Sequence, residues 1–214
     1  MAAGLWTMLA ATFGLGAAPA LAGPEESVAA LQSEWEQIKY RQPADRQEQA
    51  FEALAKKAAA VRAEFRDRAD VDIWYAIVVA SHAGAKGGLG ALSLAKEAKA
   101  ALEQSIARDP KALEGSAYTS LGSLYYQVPG WPIGFGDKDK ARDLLGRALA
   151  ISPRGIDSNF FMGDFLYRTG DYEGSRRVLE LALQAPARPA RPLADEGRRR
   201  EVEALLVLVR HKLN

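Results

Sequence analysis

The side chains able to do chemistry are few and scattered. His82 and His211 are the only imidazoles, and no cysteine occurs. The chain therefore has no thiol nucleophile, no zinc-thiolate site, no disulfide and no cysteine for a lipid anchor. Asp157 and Asp164 recur on one helical face, which solvated acids on a helix surface usually explain. No Ser-His-Asp set or metal cluster accompanies them. The glycine-rich "GAKGGLG" lacks the G-x4-G-K-[ST] pattern of a phosphate loop, and no strand pattern precedes it. Its glycines fit a tight turn instead. Asp137 and Asp139 lack the calcium-loop spacing, and Asp137 reads as the N-cap of a helix starting near Lys138. The expectation is a protein that is not an enzyme and needs no cofactor or metal.

The elements that would position such residues repeat. In "ARDLLGRALAISP", Ala141, Leu144, Leu145, Ala148 and Leu149 form one helical face, and Pro153 follows twelve residues after Ala141. Ala98, Ala101, Leu102, Ser105 and Ile106 keep the same offsets, with Pro110 at twelve. Ser175, Val178, Leu179, Ala182 and Leu183 keep them again, with Pro186 nearby. This is the second helix of a tetratricopeptide (TPR) pattern. Its first helix shows as Leu121-Gly122 with Tyr125, and more loosely as Met162-Gly163 with Leu166 before the turn Gly170-Asp171-Tyr172. An earlier copy places Trp74 at the tryptophan position, with Ile77 and Val78 after it. Small residues such as Gly122 and Ala141 are expected where two helices approach closely.

Upstream, Val28, Leu31, Trp35 and Ile38 mark one helix, broken at Arg41-Gln42-Pro43-Ala44. Phe51, Leu54, Ala58, Val61 and Phe65 mark a second. Downstream, the Pro/Arg segment "APARPARPLAD" leads into a last helix carrying Val202, Leu205, Leu206 and Val209. With Arg198 to Glu201 on its other side, that helix reads as a solenoid cap. The expected fold is all-α: a TPR-like helical-hairpin solenoid of about four hairpins plus a C-terminal capping helix, with two inserted loops on one edge.

The insertions come from spacing. Gly163 to Ser175 is twelve residues, but Gly122 to Ala141 is nineteen and Val78 to Ala98 is twenty. Equivalent turns in stacked repeats lie side by side. Residues 128–136 should therefore fold against the turn around residues 82–92. Trp131, Ile133, Phe135, Leu89 and Leu92 would meet at one rim and wall one end of the groove. The pairing reads either as a small extra core or as a lid over a site. In both versions Trp131 is expected to be largely buried, its indole N–H bonded to an acceptor.

The inward positions of the first helices supply the other candidate surface. They read as Asp72, Tyr75, Val79 and His82; Ser116, Thr119, Ser123 and Tyr126; and Asp157, Phe160, Asp164 and Tyr167. An aromatic, hydroxyl and acidic lining suits a small polar-apolar ligand or a peptide segment; a solvated groove without a ligand is the plainer reading. The candidate binding set is thus Tyr75, His82, Thr119, Ser123, Tyr126, Trp131, Phe135, Phe160, Asp164 and Tyr167.

With 214 residues and 48% hydrophobic composition, the chain can bury one sizeable core. A net charge of +1 implies no broad basic surface for nucleic acid. The first charged side chain is Glu25, after an apolar run that ends in Ala20-Leu21-Ala22. That triad has the form accepted by signal peptidase, so residues 1–22 are expected to be a signal peptide cleaved after Ala22, leaving 23–214 as one TPR-like domain. A membrane anchor is the alternative. Either places the body outside the cytoplasm, and a periplasm fits.

Residues 86–166, with "LGSLYYQVPGWPIGFGD" at their centre, resemble exported bacterial TPR-like proteins grouped with the T component of tripartite ATP-independent periplasmic (TRAP) transporters, known as TatT. The resemblance implies a homotrimer that docks a periplasmic solute-binding protein and helps handle hydrophobic or organic-acid ligands. Members of that group are often lipoproteins, whereas this sequence has no cysteine to modify.

Overall fold

A computed structural model describes residues 23–214, apart from the side chain of Leu89. The expected signal-peptide segment, 1–22, lies outside the described residues. Nine helices make up the described part: α1 Pro24–Arg41, α2 Ala44–Glu64, α3 Ala69–Lys86, α4 Gly88–Arg108, α5 Ala112–Gln127, α6 Lys138–Ile151, α7 Ile156–Thr169, α8 Tyr172–Leu183 and α9 Pro192–Leu213. They pair as four antiparallel hairpins, α1/α2 to α7/α8, followed by α9. This is the solenoid that the repeat spacing predicts. None of the helices is long and apolar enough to cross a membrane.

Local chemistry sets the helix ends. Pro24 opens α1 with Glu25 and Glu26 in its first turn, and Lys39 and Arg41 close it, all matching the helix dipole. Gln42, before Pro43, is extended, as the proline ring requires. Asp137 caps α6 as expected, its Oδ1 accepting the Asp139 and Lys140 N–H groups at 3.0 Å. Gly170 turns left-handed at φ +89°, and Asp171 then caps α8 through the Gly174 N–H at 2.8 Å.

The repeat alignment holds where two helices meet. A methyl group at Gly122 would stand 2.8 Å from Leu145 Cγ, and one at Gly163 would stand 2.6 Å from Leu179. Ala98, Ala141 and Ser175, the equivalent small residues of α4, α6 and α8, are all fully buried. Ser175 also donates its hydroxyl to the Gly163 carbonyl at 2.8 Å, tying α8 to α7.

The first insertion is not a loop. It lengthens α3 and α4, and Gly87 alone separates them. Ala83, Ala85, Lys86, Ala91 and Leu92 favour helix in the inserted stretch, against Gly84 and Gly90, while Gly87 and Gly88, at φ +64° and +61°, make the reversal. The second insertion, residues 128–137, is a true loop. A methyl at Gly134 would lie 3.3 Å from Leu92 Cδ1, so the loop does seat against the start of α4.

Two clusters form the core. The larger runs through α1 to α7; the smaller joins Ile156 and Leu179 to Val202, Leu206 and Val209 of α9. α9 does cover α7 and α8, but it also packs on α1. Its cap-like polar side therefore faces inward in part: Arg198 is buried. The array closes on itself as a ring of helices.

Candidate binding chamber

Inside the ring lies a chamber of about 670 Å³, walled by α1, the start of α2, α3, α5, α7 and the segment from Arg188 into α9. Its walls are aromatic. Trp35 and Trp74 meet edge to face at 6.1 Å, and Phe160 meets Phe161 in the same way at 5.2 Å. Trp35 donates its indole N–H to Ser81 Oγ at 2.8 Å, and Ser81 in turn donates to the Ile77 carbonyl. Ser116, Thr119 and Ser123 of α5 add hydroxyls.

The charges sit on one side, where α9 meets α1 and α7. Arg198 lies over both phenylalanines, 4.4 Å from Phe160 and 4.8 Å from Phe161. It donates to Asp157 Oδ1 at 2.8 Å and to Glu201 at 2.6 Å. Arg188 donates to the other Asp157 oxygen at 2.7 Å and to Asp195 at 2.6 Å. Arg191 stacks 4.9 Å over Trp74 and donates its Nε–H to Glu36 at 2.6 Å. Its two terminal nitrogens make no hydrogen bond within the described residues and remain available to an acceptor.

Burial pushes the Asp157 carboxyl up, but Arg198 and Arg188 outweigh it and hold the group down at about 2. Burial depresses the Arg198 guanidinium, while the Asp157 and Glu201 carboxylates more than restore it, so it stays charged. Burial, with help from Glu201 and against Arg198, raises the Tyr40 phenol to about 12. Asp157 and Arg198 are thus fixed in their charged forms and Tyr40 in its neutral form at neutral pH, a setting for binding rather than for proton transfer.

The sequence-derived set divides on this geometry. Thr119, Ser123, Phe160 and Asp164 line the chamber. Tyr126 stands behind Asp164, donating its hydroxyl to the carboxylate at 2.7 Å; burial and that carboxylate push its phenol well up. Tyr167 packs against Tyr172 on the smaller core cluster, away from the lining. On α3 the predicted register is wrong. Trp74, Ile77 and Ser81 face the chamber, whereas Tyr75, Val79 and His82 do not. Tyr75 points between α2 and α4, donating to Glu97 beneath the Arg62 guanidinium. Asp72 shares that outer site with Arg62 at 2.6 Å and Arg108 at 3.4 Å. His82 is buried, and its Nε2 has no partner among the described residues. No Leu-Gly pair fixes the register in α3 as it does in α5.

The loop is also corrected. Trp131 is 90% exposed and has no buried indole bond; that role belongs to Trp35. Phe135 is the anchor, packing edge to face on Tyr125 at 5.5 Å. No residue of 128–136 lines the chamber, so the loop walls none of it. Sequence reasoning misses Trp35, Trp74, Phe161 and the three arginines as lining residues. The available signal is the arginine spacing around "APARPARPLAD", which by composition reads as no more than a linker into a cap.

Thirteen chains among solved structures match this architecture. One is TTC0263, a thermophilic TPR protein of Thermus thermophilus. It aligns with a TM-score of 0.57 at 17% identity, over 89% of this chain and 91% of that one. The fold is TPR-like. A second match is the MamA protein, with a TM-score of 0.44 and 15% identity over 88% of this chain and 92% of that one. No protein-family model matches the sequence, and no curated protein matches it.

Proposed function

We propose that this chain is a non-enzymatic TPR-like interaction scaffold whose chamber holds a small ligand with an apolar body and an anionic end. The observation that carries the reading is the chamber itself. Its volume of about 670 Å³ falls in the usual range for small-molecule sites. Tryptophan and phenylalanine faces suit an apolar body, and the two Arg191 terminal nitrogens, which make no hydrogen bond among the described residues, suit a carboxylate or phosphate. The two histidines lie outside the lining, and Asp157 is neutralised by two arginines, which favours holding over catalysis.

The sequence resemblance extends the proposal to the cell. Export by cleavage after Ala22 would place the protein in a periplasm. There it would serve as the accessory T component of a TRAP-type system, docking a solute-binding protein, as a homotrimer. A protein-only scaffold, in which the chamber's rim receives a partner segment, is the second reading; it rests on the general use of TPR-like surfaces for protein binding.

Purification from a periplasmic extract followed by native mass spectrometry tests both. A bound amphipathic acid that is lost in Ser123→Phe, which crowds the chamber, supports the ligand reading. An empty chamber that takes up no apolar acid over a broad panel would overturn it. Recovery of a solute-binding protein in the same capture would support the transport role. N-terminal sequencing should begin at Gly23, and sedimentation should give three times the chain mass.

A further inference from the structure

The loop between α5 and α6 presents an apolar tip that the ring does not use. From Val128 to Gly136 the only polar side-chain group is the Trp131 indole N–H. Trp131 at 90% and Ile133 at 64% are the two most exposed large hydrophobic side chains among the described residues. An exposed tryptophan on a loose loop would mean little, but this loop is built tightly. The Ile133 and Gly134 N–H groups both donate to the Gly130 carbonyl, at 3.2 and 3.1 Å. Gly136 donates to the Pro129 carbonyl at 2.9 Å, and Asp137 to the Tyr125 carbonyl at 2.8 Å. Phe135 pins the base on Tyr125. A methyl at Gly134 or Gly136 would collide with the Pro129 or Val128 carbonyl, so only glycine permits this fold.

The backbone of the tip is unusually free of open donors. Pro129 and Pro132 have no N–H, and Ile133 and Gly134 have theirs bonded internally. Across residues 128–136 only the Gly130, Trp131 and Phe135 N–H groups are left, which suits a surrounding that offers few acceptors. Lysines flank the base. Lys140 lies 5.5 Å from the Tyr125 ring, and Lys99, paired with Glu103 at 2.7 Å, lies 5.8 Å from the Phe135 ring. Lys138 and Lys140 are exposed and form no ion pair within the described residues. Asp137, which caps α6, and Asp139 alternate with these lysines, so the charge at the base is balanced.

A protein socket fixes its register through polar pairs around an apolar centre, and this tip offers one side-chain donor. A bilayer interface asks for an apolar wedge, an indole at the headgroup level and cations towards the phosphates. We propose that residues 130–133 insert as a wedge into the interfacial layer of a phospholipid membrane, holding the ring against its surface. A wedge of this size gives weak, reversible attachment, and the inference does not depend on what the chamber holds.

Because the chain has no cysteine, one can be introduced at the tip. Residues 1–22 have their own apolar run, so the reporter must sit on the tip itself. Full-length Ile133→Cys, carrying a polarity-sensitive dye, is mixed with phosphatidylglycerol/phosphatidylethanolamine vesicles, with Ala60→Cys on the exposed face of α2 as the control. The expected result is a blue shift and quenching by brominated acyl chains at 133 but not at 60. Adding Trp131→Ala should raise the lipid needed for half-maximal shift about tenfold, the scale for withdrawing one large aromatic from the interface. A tip dye that stays accessible to iodide on vesicles carrying the bound chain would overturn the proposal. So would a blue shift that grows with protein concentration in the absence of lipid, which would assign the tip to a second copy.

Discussion

Arg191 and Glu36 are 155 positions apart in the chain, yet their side chains meet at 2.6 Å and both are largely shielded from solvent. Their contact closes the ring, with Lys39 facing Glu201 at 3.5 Å and Arg41 facing Glu196 at 3.4 Å beside it. Removing one member leaves a buried charge alone. Glu36→Ala is expected to lower stability by about 3 kcal/mol, at the lower end for a broken buried pair, as measured by urea denaturation. The two more exposed pairs beside it should contribute little; Arg41→Ala should change stability by less than about 1 kcal/mol.

Asp157 makes the seam sensitive to acid. Its folded value of about 2 lies below the ordinary aspartate value of about 3.9. Its contribution is therefore complete above about pH 4 and is lost as the pH falls towards 2. Melting of the wild-type chain should drop across that window, and Asp157→Asn should flatten that part of the profile while lowering stability at neutral pH. An unchanged acid limb in the variant would show that other carboxylates set it.

Gly122 and Gly163 permit the close approach of paired helices. Gly122→Leu should overpack against Leu145 and cost about 1–3 kcal/mol. Gly146, on the same helix pair but with nothing near it, is the control. Gly146→Ala should raise the melting temperature slightly, because alanine is the better helix former.

Two tryptophans should behave oppositely. Trp131→Ala is expected to shift stability by less than about 0.5 kcal/mol, as for any exposed site without special contacts. Trp35→Ala removes a buried ring and its bond to Ser81, and about 3–5 kcal/mol with it. Thermal unfolding of the two variants side by side checks the assignment.

Asp137→Ala should cost about 1 kcal/mol through loss of the α6 cap, read from chemical denaturation. Asp137→Asn, which keeps an acceptor oxygen, should recover most of it.

The helices are legible because their apolar faces recur at fixed offsets. Ala98, Ala141 and Ser175 align from spacing alone, and all three are buried. The chamber is half legible. Thr119, Ser123, Phe160 and Asp164 belong to helices whose register a glycine marks, whereas α3 has no such mark and its lining is misplaced by the pattern. The arginines of the seam are invisible for a different reason. Arg191 meets Glu36 and Trp74 only because the ring closes, and local periodicity does not encode closure. Trp131 misleads because hydrophobicity implies burial only as a tendency.

Ring closure also changes how the fold can vary and how it should come apart. An open solenoid gains or loses a repeat with little effect on the others, and its stability is a sum over neighbours. Here an added or deleted hairpin would carry α9 away from α1 and strand Glu36. The number of repeats is therefore fixed by geometry, and duplication of a hairpin within the array would break the seam. The joined ends also raise contact order and couple the first hairpin to the last. Unfolding should proceed as one transition rather than by fraying from a terminus, and folding should wait on the meeting of the two ends.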